Sequence, residues 1–228
     1  MKSIVKQLQW RRWFFLKSEI DRVLTLGMLF STGLVCLRIL YSHVWTYVFM
    51  PWNLFLAYLP YLLSKWLLEK PQHIRKKVPF AFMFVVWIFF IPNSFYVITD
   101  LFHLVDFDTA PLWFDLILLM SFAWTSLIMG ILSVRQMEKA IGLRFNRIPE
   151  FMFIYPVMIL NALGVYIGRY LRFNTWDVLM NPFGLISEIS DIILHPMKYR
   201  EAWGMMFFFS ILMTLMYLSI KKISKSIW

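Results

Sequence analysis

Residues 78–98 read VPFAFMFVVWIFFIPNSFYVI, and this stretch decides the fold class of the chain. It contains no charged side chain and is dominated by phenylalanine, valine and isoleucine. An α-helix needs about 20 mostly apolar residues to cross the hydrocarbon core of a bilayer, which is about 30 Å thick. The stretch therefore predicts a transmembrane helix.

Five more stretches on either side of it are apolar and of similar length: residues 23–41, 49–68, 112–134, 151–170 and 203–220. The chain is 60% hydrophobic and 16% charged. A soluble domain is roughly half apolar and about a quarter charged. We therefore expect an all-α integral membrane protein, a bundle of six transmembrane helices that forms one domain over residues 23–220.

Residues 178–195 are a different kind of stretch. They carry Glu188 and Asp191, and Asn181-Pro182 interrupts them early, so the remaining apolar run is too short to span. We interpret this stretch as a short interfacial or re-entrant helix. A seventh span is the alternative.

The net charge of +10 indicates orientation in the membrane, because most lysines and arginines flank the apolar stretches. Cytoplasmic loops are enriched in these residues. With six spans, 18 of the 23 lysines and arginines fall on one side. We therefore expect a cytoplasmic basic aromatic segment (1–22), a cytoplasmic basic tail (221–228), the lipid bilayer as partner, and no nucleic-acid partner.

A polar stripe follows Pro92. Asn93, Tyr96, Asp100 and His103 are spaced three, four and three residues apart, which places them on one face of a helix. Pro92 removes a backbone donor and should kink or break the helix. Polar groups in a bilayer are costly, so the stripe should face other helices or water.

Further polar residues of the spans should lie at a similar depth, near the non-cytoplasmic face. With the stripe, the candidate substrate-binding residues are Arg38, Asn53, Asn93, Tyr96, Arg169, Arg172, Asn174 and Asp177, and the candidate catalytic residues are Asp100, His103 and Asp115. Pairing of Asp100 or Asp115 with Arg169 or Arg172 would make burial tolerable. The cytoplasmic halves of the spans look nearly uniformly apolar. The alternative is that these side chains only reach the headgroup region.

Several chemistries suit such a cluster. Asp100 and His103, with Asp115 as a third ligand, would suit zinc or a harder metal. Asp100 and His103 would also serve as an acid–base pair while arginines hold an anionic substrate such as a phospholipid or polyprenyl phosphate. The sequence leaves the cofactor open, and its single cysteine, Cys36, excludes an intrachain disulfide.

Four stretches together carry a resemblance to a known family. They are residues 52–60 (WNLFLAYLP), 92–104 (PNSFYVITDLFHL), 113–115 (WFD) and 168–177 (GRYLRFNTWD). They resemble a bacterial multi-pass membrane family catalogued as domain of unknown function number one-three-six-one, over residues 23–220. The resemblance implies a bacterial cytoplasmic membrane and no known activity. It suggests that such proteins are built around Asn93, Asp100, His103, Asp115, Arg169, Arg172 and Asp177.

Three functions remain open on this basis. The first is a membrane-embedded enzyme or binding protein for an anionic or lipid-linked molecule. The second is a small-solute or proton-coupled transporter, since a helix interrupted by proline beside polar side chains is common in transporters. The third is an accessory protein of a membrane complex.

Overall fold

The structure is a computed structural model that describes residues 18–105, 109–145, 149–173 and 180–226. The candidate residues Asn174 and Asp177 lie outside these ranges, as do most of the predicted N-terminal segment and the end of the predicted tail. The described residues form helices and no β-strand, which confirms the all-α class.

The helices follow the predicted apolar stretches. In chain order they are α1 (Glu19–Ser42), α2 (Met50–Glu69), α3 (Pro71–Arg75), α4 (Lys77–Tyr96), α5 (Leu112–Phe145), α6 (Glu150–Arg169), α7 (Pro182–Leu194) and α8 (Arg200–Ser226). A 3₁₀ segment (Val97–His103) continues α4.

Five helical stretches are long and apolar enough to cross a membrane. They are Glu19–Ser42, Lys77–His103, Leu112–Phe145, Glu150–Arg169 and Arg200–Ser224. Large apolar side chains such as Leu29, Phe82 and Phe208 are exposed on these helices, as contact with lipid tails requires. The chain is therefore a multi-pass membrane protein in a lipid bilayer.

The second predicted span, α2, is not among these five stretches although it has 20 residues. Asn53, Pro60, Ser64 and Lys65 make its sequence more polar than that of the others. It is nevertheless enclosed, since it packs against α4 and α5 and buries Leu54, Ala57, Tyr61 and Leu67.

Two details of the sequence prediction are corrected. The helix that contains the fourth predicted span continues past residue 134: α5 ends at Phe145, and its 34 residues measure about 51 Å at about 1.5 Å per residue. Arg135, Lys139 and Arg144 therefore lie on a helix and not in a loop. The helix also does not break at Pro92, because α4 runs on to Tyr96 and only then tightens into the 3₁₀ segment.

Buried ion pairs fix α1 to the bundle near both of its ends. Ser18 caps the helix and forms a capping box with Asp21. The Asp21 carboxylate also accepts hydrogen bonds from Lys65 Nζ at 2.6 Å and from the Tyr61 hydroxyl at 2.9 Å, both on α2. Arg38 holds the opposite end to α5 through Asp115. These contacts position a helix whose remaining surface is largely exposed.

Close approach between α4 and α6 depends on two glycines of α6. A Cβ atom at Gly164 would lie 2.6 Å from Pro92 Cγ, and one at Gly168 would lie 3.3 Å from the Tyr96 ring. The small-x-x-x-small spacing thus lets the Pro92 ring pack against the α6 backbone. This contact places Tyr96 and the start of the 3₁₀ segment beside the end of α6.

The halves of the helices remote from Asp100, which we expected to be nearly uniformly apolar, contain buried polar side chains. Ser64 donates to Gln136 Oε1 at 2.8 Å, and Trp87 Nε1 donates to Ser133 Oγ at 2.8 Å. Ser64 and Ser133 are fully buried. Closer to the helix ends, Lys221 bridges Glu138 and Glu150 at 2.6 and 2.9 Å. The helices are therefore joined by polar contacts at this level too.

Candidate functional site

Arg38 of α1 and Asp115 of α5 form a bidentate ion pair. Arg38 Nε donates to Asp115 Oδ1 at 2.7 Å, and Nη2 donates to Oδ2 at 2.9 Å. The side chains are 1% and 2% exposed, and the guanidinium lies 4.7 Å from the Tyr47 ring centroid. Because both carboxylate oxygens are engaged and water is excluded, this pair joins two helices and has no free face toward a ligand.

Arg169, in the last turn of α6, is the centre of a second cluster. Its Nη1 atom lies 3.3 Å from Asp100 Oδ1, 3.4 Å from the Tyr96 hydroxyl and 3.1 Å from His103 Nε2. Its Nη2 atom donates to the Thr99 carbonyl oxygen. One guanidinium therefore holds together four residues of α4 and the 3₁₀ segment.

Asp100 is 1% exposed, and its other oxygen is also engaged. Asn53 Nδ2 of α2 donates to Asp100 Oδ2 at 3.0 Å. The carboxylate therefore connects α2 to the end of α6 through Arg169. This arrangement satisfies a charge that would otherwise be costly to bury.

The hydrogen bonds determine the tautomer of His103. A guanidinium nitrogen only donates, so Nε2 accepts from Arg169 and the ring proton lies on Nδ1. The ring is exposed and packs edge-on against Phe49, with centroids 5.5 Å apart. Tyr47 donates to the His103 carbonyl oxygen at 3.1 Å, and burial raises the pKa of Tyr47 to about 12, which preserves that donor. His103 thus presents an N–H group at the edge of the cluster.

A groove of about 310 Å³ opens beside this cluster, between α2, α4, α6 and α7. Its polar end contains Asn53, Asn93 and Tyr96. The rest of its wall is mostly apolar and includes Leu56, Ile88, Phe89, Leu160, Leu163, Ile167, Leu185 and Ile189. Asn53 contacts Asp100, and Tyr96 contacts Arg169. Two residues that line the groove therefore also contact the ion pair.

The possible metal ligands Asp100 and Asp115 have other partners in the structure. Asp115 is occupied by Arg38, while Asp100 faces Asn53 and Arg169. Among the described residues, no group of three or more His, Cys, Asp or Glu side chains could hold a metal ion. The chemistry of the cluster is that of an ion pair with amide, phenol and imidazole neighbours.

The structure brings the polar stripe of α4 together with Asn53 and Arg169, and it places Arg38, Asp115 and Arg172, the other candidates that it describes, outside this cluster. Arg38 and Asp115 pair with each other. Arg172 is exposed and adopts a left-handed backbone conformation with φ of 58°. The direct pairing of Asp100 with Arg169 was one of the predicted combinations, whereas the pairing of Asp115 with Arg38 was not.

Sequence reasoning missed two contributors to the cluster. Tyr47 lies in the connection between α1 and α2, where no spacing relates it to His103. Thr99 contributes a backbone oxygen, and a backbone acceptor leaves no trace in the residue pattern. Asp21 is a further missed buried group, although Ser18-x-x-Asp21 matches a capping box that starts a helix.

The fold and the cluster define a class: a multi-pass α-helical membrane protein with a buried ion pair beside an apolar groove. The chain belongs to the family described as "Protein of unknown function (DUF1361)", whose family model matches residues 52–216. This confirms the resemblance found in the sequence. No curated protein and no solved structure matches the chain. The matched residues include Asp100, Arg169 and every residue that lines the groove, whereas Arg38 lies outside them.

Proposed function

We propose that the groove binds an amphiphilic molecule dissolved in the membrane, with an anionic or lipid-linked polar group. The protein would act as a membrane-embedded binding protein or enzyme for this molecule. The observation that supports the proposal is the shape of the groove: an apolar wall along α4 and α6 that ends at Asn53, Asn93 and Tyr96. Ligand pockets typically combine such a wall with a few convergent polar groups.

The charges near the polar end favour an anionic group. Arg169 is balanced by Asp100, and Arg172 adds a second positive charge three residues later. The contact between Arg169 and Asp100 is a single one of 3.3 Å, and the Arg169 side chain is 12% exposed. A phosphate or carboxylate would compete with Asp100 for the guanidinium, whose fork of N–H donors matches two oxygens of either group.

His103 is the acid–base candidate if the protein is an enzyme. It lies in contact with Arg169 and carries its proton on Nδ1, the nitrogen that does not face the arginine. A neutral histidine in this arrangement can donate a hydrogen bond from Nδ1 to a leaving-group oxygen or to a water molecule, and only the imidazolium form would transfer a proton. Asp100 would then position Arg169 and would not itself relay protons to His103.

Crosslinking with photoactivatable lipids tests the binding proposal. Purified protein in detergent is irradiated with a diazirine-bearing phosphatidic acid, and the modified peptides are mapped. We expect labels on the groove-facing residues of α4 and α6, such as Phe89 and Leu163. Labels spread evenly over exposed residues of α1 and α8 would contradict the proposal.

The location proposed is a bacterial cytoplasmic membrane with both termini in the cytoplasm. The distribution of lysines and arginines supports this orientation, which places Asp100 and Arg169 near the outer face. Reporter fusions at residue 228 should be active as cytoplasmic reporters. Activity of a periplasmic reporter at that position would reverse the orientation and place the groove at the inner face.

Transport of a small solute or proton is the second candidate. The specific observation in its favour is the buried polar contact series Trp87, Ser133, Ser64 and Gln136, at a level expected to be apolar. A transporter needs water to reach this level in one of its states. Single cysteines at Ser64 and Ser133, in a Cys36→Ser background, should then react with a water-soluble thiol reagent in membranes. Complete protection of both positions would exclude a path along these residues.

A further inference from the structure

We propose that α7 lies in the plane of the membrane interface, with one face in the lipid leaflet next to the Arg169–Asp100 pair. In this position α7 forms one wall of the groove, and a ligand dissolved in the lipid enters the groove along this wall. This inference deepens the proposed function and rests on it for the identity of the ligand. The placement of α7 itself stands on its own evidence.

The length of α7 is the first part of that evidence. Its 13 residues measure about 20 Å at about 1.5 Å per residue, which is shorter than a hydrocarbon core of about 30 Å. Asn181 caps its start, since Asn181 Oδ1 accepts from the Gly184 backbone N–H at 3.1 Å. The helix is thus a complete short element with its own cap.

One arc of α7 docks on the protein. Leu185 and Ile189 line the groove, and Ile192 is fully buried in the main hydrophobic core. Trp203 Nε1 of α8 donates to the Ile192 carbonyl oxygen at 3.0 Å. These contacts fix the helix against α8 and leave its other faces free.

A second arc of α7 is apolar but exposed. Phe183 is 84% exposed, and Ile186, Ile193 and Leu194 are also exposed on this side, which only Ser190 interrupts. Exposed apolar side chains in such a row need an apolar partner. Phe207 and Phe208 are likewise exposed on α8, which packs against α7 through Trp203 and is apolar enough to span the bilayer. Lipid is therefore the partner that both surfaces share.

A third arc of α7 is polar and carries Ser187, Glu188 and Asp191. Asp191 accepts from Lys198 Nζ at 2.8 Å and from the Tyr199 hydroxyl at 2.6 Å. The hydrogen bond from Lys198 is the main cause that lowers the pKa of Asp191 to about 2, so this carboxylate is ionised and requires a water-facing position. The short helix α7 thus has one face packed on the protein, one face toward lipid and one face toward water. This arrangement is typical of a helix that lies in the membrane interface.

The position of α7 has a consequence for the groove. Leu185 and Ile189 belong to the wall of the groove, and Ile186 next to them faces lipid. A molecule in that leaflet therefore reaches the groove along α7 without passing through bulk water. The ligand class that fits this geometry is one that partitions into the membrane.

Spin-label accessibility tests the placement. Single cysteines at Ile186 and Ile193, and at Ser187 and Glu188 as matched neighbours, are labelled in a Cys36→Ser background. The protein is reconstituted in vesicles of phosphatidylcholine and phosphatidylglycerol. We expect molecular oxygen to be the main cause of relaxation for the labels at 186 and 193. A water-soluble nickel chelate should relax the labels at 187 and 188 several-fold more than it relaxes those at 186 and 193. Equal nickel accessibility at all four positions, or oxygen dominance at all four, would overturn the placement.

A second measurement addresses access to the groove separately. Ile186→Asp places a charge on the lipid-facing arc, and Ser187→Asp places one on the water-facing arc. We expect Ile186→Asp to slow labelling of the groove by the diazirine lipid several-fold, while Ser187→Asp leaves it unchanged. Equal rates in both variants would overturn the access route. If the wild-type groove takes no label at all, the binding proposal fails, and the spin-label result still decides the placement of α7.

Discussion

Asp100 and Arg169 meet through one carboxylate oxygen and one guanidinium nitrogen, 3.3 Å apart, and each contacts a residue that lines an apolar groove. This contact differs from the pair of Arg38 and Asp115, which is bidentate, shorter and almost completely enclosed. The difference assigns separate roles to the two pairs. The tight pair fixes α1 to α5, and we propose that the looser pair is the one a ligand would engage.

The first prediction concerns the tight pair. Arg38→Met leaves the Asp115 charge buried without its partner and should destabilise the protein by about 3–5 kcal/mol. The double variant Arg38→Met/Asp115→Leu removes both charges and should recover most of that loss. Thermal unfolding in detergent measures both. A double variant no more stable than the single one would show that the pair does not act as a unit.

The second prediction concerns the looser pair, whose two partners should have opposite effects. Arg169→Gln removes the group that would hold the anion and should weaken binding of an anionic amphiphile by about tenfold or more, the scale of a charged hydrogen bond. Asp100→Asn removes the competitor and should strengthen it. Titration with a short-chain phosphatidic acid measures both effects. A loss of affinity in both variants would mean that the pair only supports the fold.

Much of this architecture is accessible from sequence because it depends on local composition. The predicted spans 23–41 and 203–220 lie within the observed helices α1 and α8, and the predicted span 151–170 extends one residue past the end of α6. The polar stripe could be predicted because Tyr96, Asp100 and His103 are spaced four and three residues apart. This spacing leaves them on one side although the α-helix changes to a 3₁₀-helix at Val97.

The partners across helices could not be predicted. From the sequence, Asp115 could form an ion pair with Arg169 as well as with Arg38, because all three are expected at a similar depth. Only the packing of the helices selects Arg38. The end of α5 was missed because Gln136, Glu138 and Lys139 are good helix formers that carry no membrane signal. The groove was missed because it results from the distance between α4 and α6 and not from any one motif.

The third prediction uses the glycines to test the contact between α4 and α6. Gly164→Ala places a methyl group 2.6 Å from Pro92 Cγ and should lower the melting temperature. Gly142→Ala meets no atom within 4 Å and should be neutral or stabilising, by about 1 kcal/mol at most, since alanine favours helix. Equal melting temperatures for the two variants would contradict the close approach at Pro92.

The fourth prediction concerns pH and the attachment of α7 to the turn that follows it. The pKa of Asp191 is lowered to about 2 from an ordinary value of 3.8, so its stabilising effect is present above 3.8 and is lost as the pH falls toward 2. A spin label at Leu194 should keep its mobility from pH 7 to pH 5 and gain mobility below pH 3.8. In Asp191→Asn this acid-dependent gain should disappear. A transition between pH 5 and 7 would indicate that His195, whose Nδ1 lies 2.7 Å from Asp191 Oδ1, controls the attachment instead.

The most direct measurement for the central claim is native mass spectrometry of protein extracted in gentle detergent, with two neighbouring tryptophan variants. Leu160 lines the groove and is 46% exposed, whereas Ile159 is 54% exposed and does not line it. We predict that wild-type protein and Ile159→Trp retain a bound amphiphile, and that Leu160→Trp, which fills the groove, loses it. Equal retention by the two variants, or no bound amphiphile in the wild-type protein, would contradict the account.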